Sequence, residues 1–151
     1  MRLTVTTLAL MLSATSVSAQ TTLTLYTSQS PEIAQQTVDA FMARHPDITV
    51  EWMRNGTSQL MNILTAEQQA GGIKADVLLV ADSINLGALK SQGLLLAWPE
   101  APLEGIDPLL YDAGKTFFGT KISSTGIVYN TKIAAPVAGW ADLLQEANAG
   151  Q

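Results

Sequence analysis

Cysteine is absent from this chain, and histidine and basic residues are scarce. Without cysteine, neither a disulfide nor a thiolate metal site can form. The single histidine, His45, excludes any mechanism that needs two imidazoles. Eight basic residues stand against thirteen acidic ones, a net charge of −5, so the chain lacks the clustered lysine and arginine that nucleic acids require. We therefore expect no nucleic-acid partner.

Long hydrophobic runs are also missing, except for a short one at the start. Arg2 precedes an apolar stretch from Leu3 to Leu12, and small residues follow up to Val17-Ser18-Ala19. This order is typical of a cleaved signal peptide over residues 1–19, because a permanent membrane helix needs roughly 20 apolar residues. The alternative is an amphipathic first helix of a cytosolic protein. The signal-peptide interpretation predicts that residues 20–151 are released into the periplasm.

What is present is an alternation of strand and helix patterns. Hydrophobic periodicity, caps and turn residues predict strands at 22–26, 47–53 and 76–81, and helices at 31–45, 58–70 and 83–91. The first helix should bury the side that carries Ile33, Val38, Phe41, Met42 and His45. The order β-α-β-α-β-α predicts an α/β fold with a mostly parallel sheet, in which the continuous apolar run 76–81 is a central strand buried on both faces.

The second half of the chain has weaker patterns. Residues 94–114 are loop-like and contain three prolines. Two strand-like segments follow, Phe117–Ile122 and Gly126–Asn130, and a last helix is predicted to begin at Trp140.

Hydroxyl groups occur at every predicted junction from strand to helix. In open α/β sheets, ligands bind beyond the carboxyl ends of the strands, beside helix N-termini. The junctions 27–30, 56–58 and 81–83 contain no lysine or arginine, so they suit a polar or anionic ligand held by backbone N–H groups and hydroxyls. The candidate ligand residues there are Ser28, Ser30, Thr57, Ser58 and Asp82. Helix capping is the alternative role for each, and for Asp82 it is the safer assignment.

Seven sequence segments, in this order, resemble the ferric-ion and phosphonate group of periplasmic substrate-binding proteins. These are LYTSQ at 25–29, RHP at 44–46, NGTS at 55–58, ADVLL at 75–79, LGALKSQGLLL at 86–96, TGIVYNT at 125–131 and WADLL at 140–144. The resemblance implies a type II periplasmic-binding-protein fold of two lobes. It also implies a monomer without a cofactor that delivers a solute to the permease subunits of an ABC importer. In such proteins WADLL precedes the crossover to the second lobe, so we expect residues 20–151 to be the N-terminal lobe of a longer protein.

The resemblance to the ferric members is incomplete at the positions that bind iron. Their histidine ligand aligns with Ser30 and their carboxylate ligand with Ala81, and neither residue type replaces a hard ligand for Fe(III). Ser123, Ser124 and Thr125 lie where ferric members carry arginines that hold an anion, and we include them as candidate ligand residues. The sequence thus favours a small anion such as a phosphonate, for example 2-aminoethylphosphonate, or an organophosphate. Ferric ion is the alternative.

Other classes of function fit the sequence less well. The segment Gly56–Leu60 resembles a nucleophile elbow but lacks its final glycine, so we expect a binding protein and treat a periplasmic hydrolase as a distant alternative. The ligand-sensing domain of a receptor or regulator is a further alternative, because it shares this fold. An export signal argues against a DNA-binding regulator.

Overall fold

The computed structural model describes residues 20–130, 132 and 137–149, so the predicted signal peptide lies outside the described residues. The described part of the chain divides into two compact units, one that extends to Leu94 and one that begins at Leu95. All of the α-helices and named strands that the structure describes belong to the first unit. The expectation of one lobe over residues 20–151 stays a prediction.

Strands and helices alternate along the first unit as predicted, and no end differs from its predicted position by more than two residues. They are β1 Thr21–Thr27, α1 Pro31–Arg44, β2 Ile48–Arg54, α2 Thr57–Gln69, β3 Val77–Leu79 and α3 Ser83–Ser91. The local signals explain these bounds. Pro31 occupies the first position of α1, where its missing N–H costs no hydrogen bond, and Pro46 follows its end. Gly71 follows α2 with a φ of 112°, a backbone conformation that residues other than glycine rarely adopt.

The three strands form a parallel sheet in the order β2-β1-β3. Within the plane of the sheet, the connection through α1 leads from β1 to β2 on one side of β1. The connection through α2 leads back past β1 to β3 on its other side. Because crossovers between parallel strands are right-handed, α1 and α2 lie on opposite faces of the sheet. This confirms the α/β class with a parallel sheet and helices.

The prediction that the third strand is central was wrong. Residues 77–79 alone form β3, which pairs only with β1 among the described strands, and Val77 is 42% exposed. The central strand is β1, where Leu25, Tyr26 and Thr27 are buried in succession because both faces are covered. A continuous apolar run signals burial but does not say which strands pair on either side.

The core of the first unit lies between the sheet and its helices. Its buried helical side chains are Ala34 and Val38 of α1, Leu60 and Leu64 of α2, and Leu89 of α3. The predicted buried side of α1 was wrong in part, since Ile33 is 39% exposed and His45 is exposed. The pair at 34 and 38, four residues apart, defines the buried face, and neighbouring position 33 is turned by about 100° from 34.

The second unit has little regular structure in its described part. It contains 3₁₀ turns at Pro108–Leu110, Trp140–Leu144 and Glu146–Asn148, and one isolated antiparallel bridge between Tyr111 and Phe118. The strands predicted at 117–122 and 126–130 are not formed, and a 3₁₀ turn stands where an α-helix was predicted from Trp140. A strand needs a partner for its backbone groups. The described residues provide a backbone partner for Gly119, whose N–H donates to Leu110 O, but none for residues 120–130.

Among the described residues, we find no helix with the length and apolar character needed to cross a bilayer.

Candidate functional site

The three strands end in one row. Thr27, the last residue of β1, is the register partner of Arg54 in β2 and of Leu79 in β3. Because all three strands run in the same direction, the segments that lead into α1, α2 and α3 leave the sheet at a common edge. We call this the carboxyl edge and define it by residues 27–30, 54–58 and 79–83.

Backbone hydrogen bonds connect the three junctions directly. The N–H of Ser28 donates to Leu79 O at 3.0 Å, and the N–H of Asn55 donates to Thr27 O at 3.2 Å. The N–H of Ala81 lies 3.5 Å from the Thr57 hydroxyl oxygen, a long hydrogen bond. These bonds place the junctions side by side, as the sequence predicted.

Thr27 fixes the centre of the carboxyl edge. Its side chain is fully buried, and its hydroxyl donates to Leu79 O at 3.1 Å while accepting from the N–H of Gln29 at 3.2 Å. A buried hydroxyl without such bonds would cost about 1–3 kcal/mol. Thr27 therefore holds the start of the β1–α1 segment against the end of β3.

The N-termini of α1 and α2 leave polar groups that the helices themselves do not use. Ser30 is the N-cap residue of α1, yet its exposed side chain makes no capping bond. The N-cap of α2 is Gly56, which has no side chain to accept. The first N–H groups of a helix lack intrahelical acceptors and carry a partial positive charge of about half an elementary charge. Both helix ends at this edge are thus suited to bind oxygen atoms of an anion.

Asp82, in contrast, is engaged within the protein. One of its carboxylate oxygens accepts from the N–H of Asn85 at 2.8 Å, and the other accepts from Asn85 Nδ2 at 2.9 Å. The structure confirms the capping role for Asp82. Its proposed contact with a ligand stays a prediction.

The predicted ligand residues are divided between the two units. Ser28 and Thr57 are half-buried at the carboxyl edge, and Ser30 and Ser58 are exposed there. The remaining candidates lie in the second unit, where all three are exposed and outside any strand or helix: Ser123, Ser124 and Thr125. The structure brings the first group together, and ligand contact by either group stays a prediction.

The basic residue of this edge, Arg54, was not predicted from the sequence. The predicted second strand ended at residue 53, whereas β2 extends to Arg54. Its Nε donates to Gln29 O at 3.2 Å, although the two residues are 25 positions apart. The signal was the place of Arg54 between the alternating strand pattern and the Asn55-Gly56 turn.

Gln29 also holds an unsatisfied acceptor. Its Oε1 is buried and has no hydrogen-bond partner among the described residues, although both backbone polar groups of Gln29 are bonded. A buried acceptor without a donor costs about 1–3 kcal/mol. A donor from a solute or from water would relieve that cost.

Two other features lie away from the carboxyl edge. A cavity of about 140 Å³ between α2 and α3 is lined by residues such as Met61, Leu64 and Leu89, and includes no predicted ligand residue. His45 is the C-cap residue of α1, and its ring centroid lies 4.6 Å from that of Phe41. Within the described residues, no group of three or more His, Asp or Glu side chains is placed to hold a metal ion.

The fold and its carboxyl edge define an α/β unit of the kind that binds ligands beyond the ends of parallel strands. The chain belongs to the family of bacterial extracellular solute-binding proteins, whose family model matches residues 27–149. This family is in general non-enzymatic, and its members in ABC import systems deliver their ligand to permease subunits. Its extracellular or periplasmic character agrees with the predicted location. A search among curated protein sequences finds no match.

Two solved structures of iron-binding proteins are similar to this chain. Iron-bound HitA from Pseudomonas aeruginosa is 29% identical, with a TM-score of 0.55 over 63% of this chain. The IdiA (FutA) protein of Trichodesmium, in complex with iron and citrate, is 22% identical with a TM-score of 0.55 over 65% of this chain, which supports the fold alone. The matched part of this chain spans 30% of the length of each of these proteins.

Proposed function

We propose that this chain captures a small anionic solute, such as a phosphonate or organophosphate, in the periplasm for an ABC importer. The observation that carries the proposal is the common row of Thr27, Arg54 and Leu79. Because the three strands end at this row, the N-termini of α1 and α2 lie at one edge of the sheet. The Arg54 guanidinium and four hydroxyl groups lie at the same edge, those of Ser28, Ser30, Thr57 and Ser58. These groups donate hydrogen bonds and carry positive charge, which oxyanions require.

In this proposal, a second lobe supplies the remainder of the solute site. Ser123, Ser124 and Thr125 of the second unit stay candidate ligand residues through the family resemblance. A single edge offers one wall to the solute, so the 151-residue chain should bind more weakly than a closed two-lobed protein. The proposal is supported by the share of each similar structure that the chain spans, 30%.

Ferric iron is the second candidate solute, and the two similar iron-bound structures favour it. The residues of the carboxyl edge argue against bare Fe(III). The hard anionic oxygens that this ion prefers are limited, at the carboxyl edge and the first turns of its helices, to the carboxylates of Glu32 and Asp82, and that of Asp82 already bonds to Asn85. A guanidinium beside the site also repels a cation.

A backbone-amide NMR titration of the chain separates the two candidates. Methylphosphonate should produce saturable shifts at the amides of Glu32, Thr57 and Ser58, and none at Asp47 or Lys74 near the opposite edge. Ferric citrate should leave the first group unbroadened. Paramagnetic broadening of those amides by ferric citrate, without any shift from methylphosphonate, would reverse the preference. No response to either solute would contradict solute capture at this edge.

A further inference from the structure

Arg54 differs in position from the other basic residues that the structure describes in the first unit. The described part of that unit contains four of them: Arg44, Arg54, Lys74 and Lys90. Arg44 and Lys90 lie in the last turns of α1 and α3, and Lys74 precedes β3. Since the helices return antiparallel to the strands, these three belong to the opposite edge of the sheet. Within the described residues of this unit, Arg54 is the one basic side chain on a strand end at the carboxyl edge.

One nitrogen of the Arg54 guanidinium, Nε, is held by a hydrogen bond. Its Nε donates to Gln29 O at 3.2 Å, which joins the end of β2 to the segment that leads into α1. The two terminal Nη groups take no part in this bond. A guanidinium presents its N–H groups as a planar fork that matches carboxylate and phosphate oxygens, and anchoring it beforehand reduces the entropy lost on binding.

The charge balance at the carboxyl edge depends on this residue. Two carboxylates lie there, Glu32 in the first turn of α1 and Asp82 at the N-cap of α3. Three helix N-termini contribute about +0.5 each, so the edge carries about +0.5 with Arg54 and about −0.5 without it. The sign of the local charge therefore changes when Arg54 is removed.

We propose that Arg54 is a specificity-determining residue of the solute site, which selects an oxyanion over a neutral solute or a bare metal cation. This inference rests on the proposed function and narrows its solute to one with a carboxylate, phosphonate or phosphate group. The guanidinium supplies the charge, and the N–H groups at the starts of α1 and α2 orient the oxygens.

The test uses the full 151-residue chain, methylphosphonate and backbone-amide NMR. Arg54→Gln should weaken the apparent association at least tenfold, because a charge-assisted hydrogen bond is removed. Arg44→Gln changes the net charge equally at the opposite edge and should alter association less than twofold. Arg54→Lys should give an intermediate loss, since it keeps the charge but not the fork. The neutral ester dimethyl methylphosphonate should bind wild type and Arg54→Gln equally poorly.

The outcomes separate this inference from the proposed function. Equal methylphosphonate affinity in wild type and Arg54→Gln, with the shifts at Thr57 and Ser58 retained, would overturn the role of Arg54 and leave solute capture standing. Absence of those shifts in the wild type would overturn both. If the amide spectrum of Arg54→Gln loses its dispersion, that variant is unfolded and Arg54→Lys becomes the test. Full methylphosphonate affinity in Arg54→Lys would show that the planar fork of the guanidinium is not used.

Discussion

Tyr26 Oη donates a hydrogen bond to Glu67 Oε1 over 2.6 Å and thereby joins the central strand to α2. The second carboxylate oxygen of Glu67 accepts from the N–H of Lys74 at 3.0 Å, where the chain turns toward β3. One carboxylate therefore connects β1, α2 and the approach to β3. The Tyr26 hydroxyl and then the Lys74 N–H hold the pKa of Glu67 below its usual value.

Tyr26→Phe should lower the free energy of unfolding by about 1–2 kcal/mol, because the hydrogen bond to the carboxylate is lost while the buried ring is kept. Urea unfolding followed by circular dichroism measures the change. Tyr111→Phe, in the second unit, is the matched control and should shift stability by less than about 0.5 kcal/mol. Equal effects of the two substitutions would show that the Tyr26–Glu67 bond contributes nothing specific.

Alkaline pH should weaken the first unit through the same pair. The hydrogen bond to Glu67, burial and the negative charge of Glu67 raise the pKa of Tyr26 to about 12, from an ordinary value of 10.0. The unfolded chain therefore loses this proton first as pH rises. The stabilisation is fully present below the ordinary value and is lost as pH approaches 12. Urea midpoints measured against pH should fall less steeply in Tyr26→Phe, and parallel curves would refute this account.

Asp82→Ala should destabilise α3 by about 1 kcal/mol, the typical cost of removing an N-cap acceptor. The carboxylate accepts from the N–H of Asn85, and alanine leaves that donor without its partner. Asp82→Ser keeps a capping oxygen and should restore most of the loss. Amide hydrogen exchange across α3 reports the difference, and faster exchange in both variants alike would mean that the carboxylate acts in another way.

Gly56→Ala should affect solute binding more than stability. Gly56 has φ −62 and ψ 150, which alanine adopts readily, and a Cβ there would meet no protein atom within 4 Å. The entropic gain from alanine, about 0.4–1 kcal/mol, and the poorer N-cap propensity of alanine, about 0.5–1 kcal/mol, nearly cancel. The added methyl group would stand beside the N–H groups at the start of α2.

Methylphosphonate titration of Gly56→Ala should therefore show weaker association at nearly unchanged stability. Gly72→Ala is the control, because its Cβ also meets nothing within 4 Å and it lies beyond the far end of α2. Full affinity in Gly56→Ala would indicate that solute does not approach this helix end.

Much of the candidate site follows from local sequence patterns. Asp82 before Ser83 identifies the start of α3, and Ser30-Pro31 identifies the start of α1, since caps and proline act within a few residues. The parallel order of the strands then requires all three helix starts to share one edge. The place of Arg54 did not follow, because its bond to Gln29 joins the end of β2 to the distant segment between β1 and α1.

The sequence by itself determined the order of strands and helices in the first unit, because periodicity, caps and turn residues act locally. Only the tertiary structure decided that β1 is the central one of the described strands, that β3 is an outer one, and that Thr27, Arg54 and Leu79 share one row. The same holds for residues 120–130, whose strand-like pattern finds no backbone partner in the described chain. Pairing and register depend on residues distant in sequence, so no short window of the chain contains them.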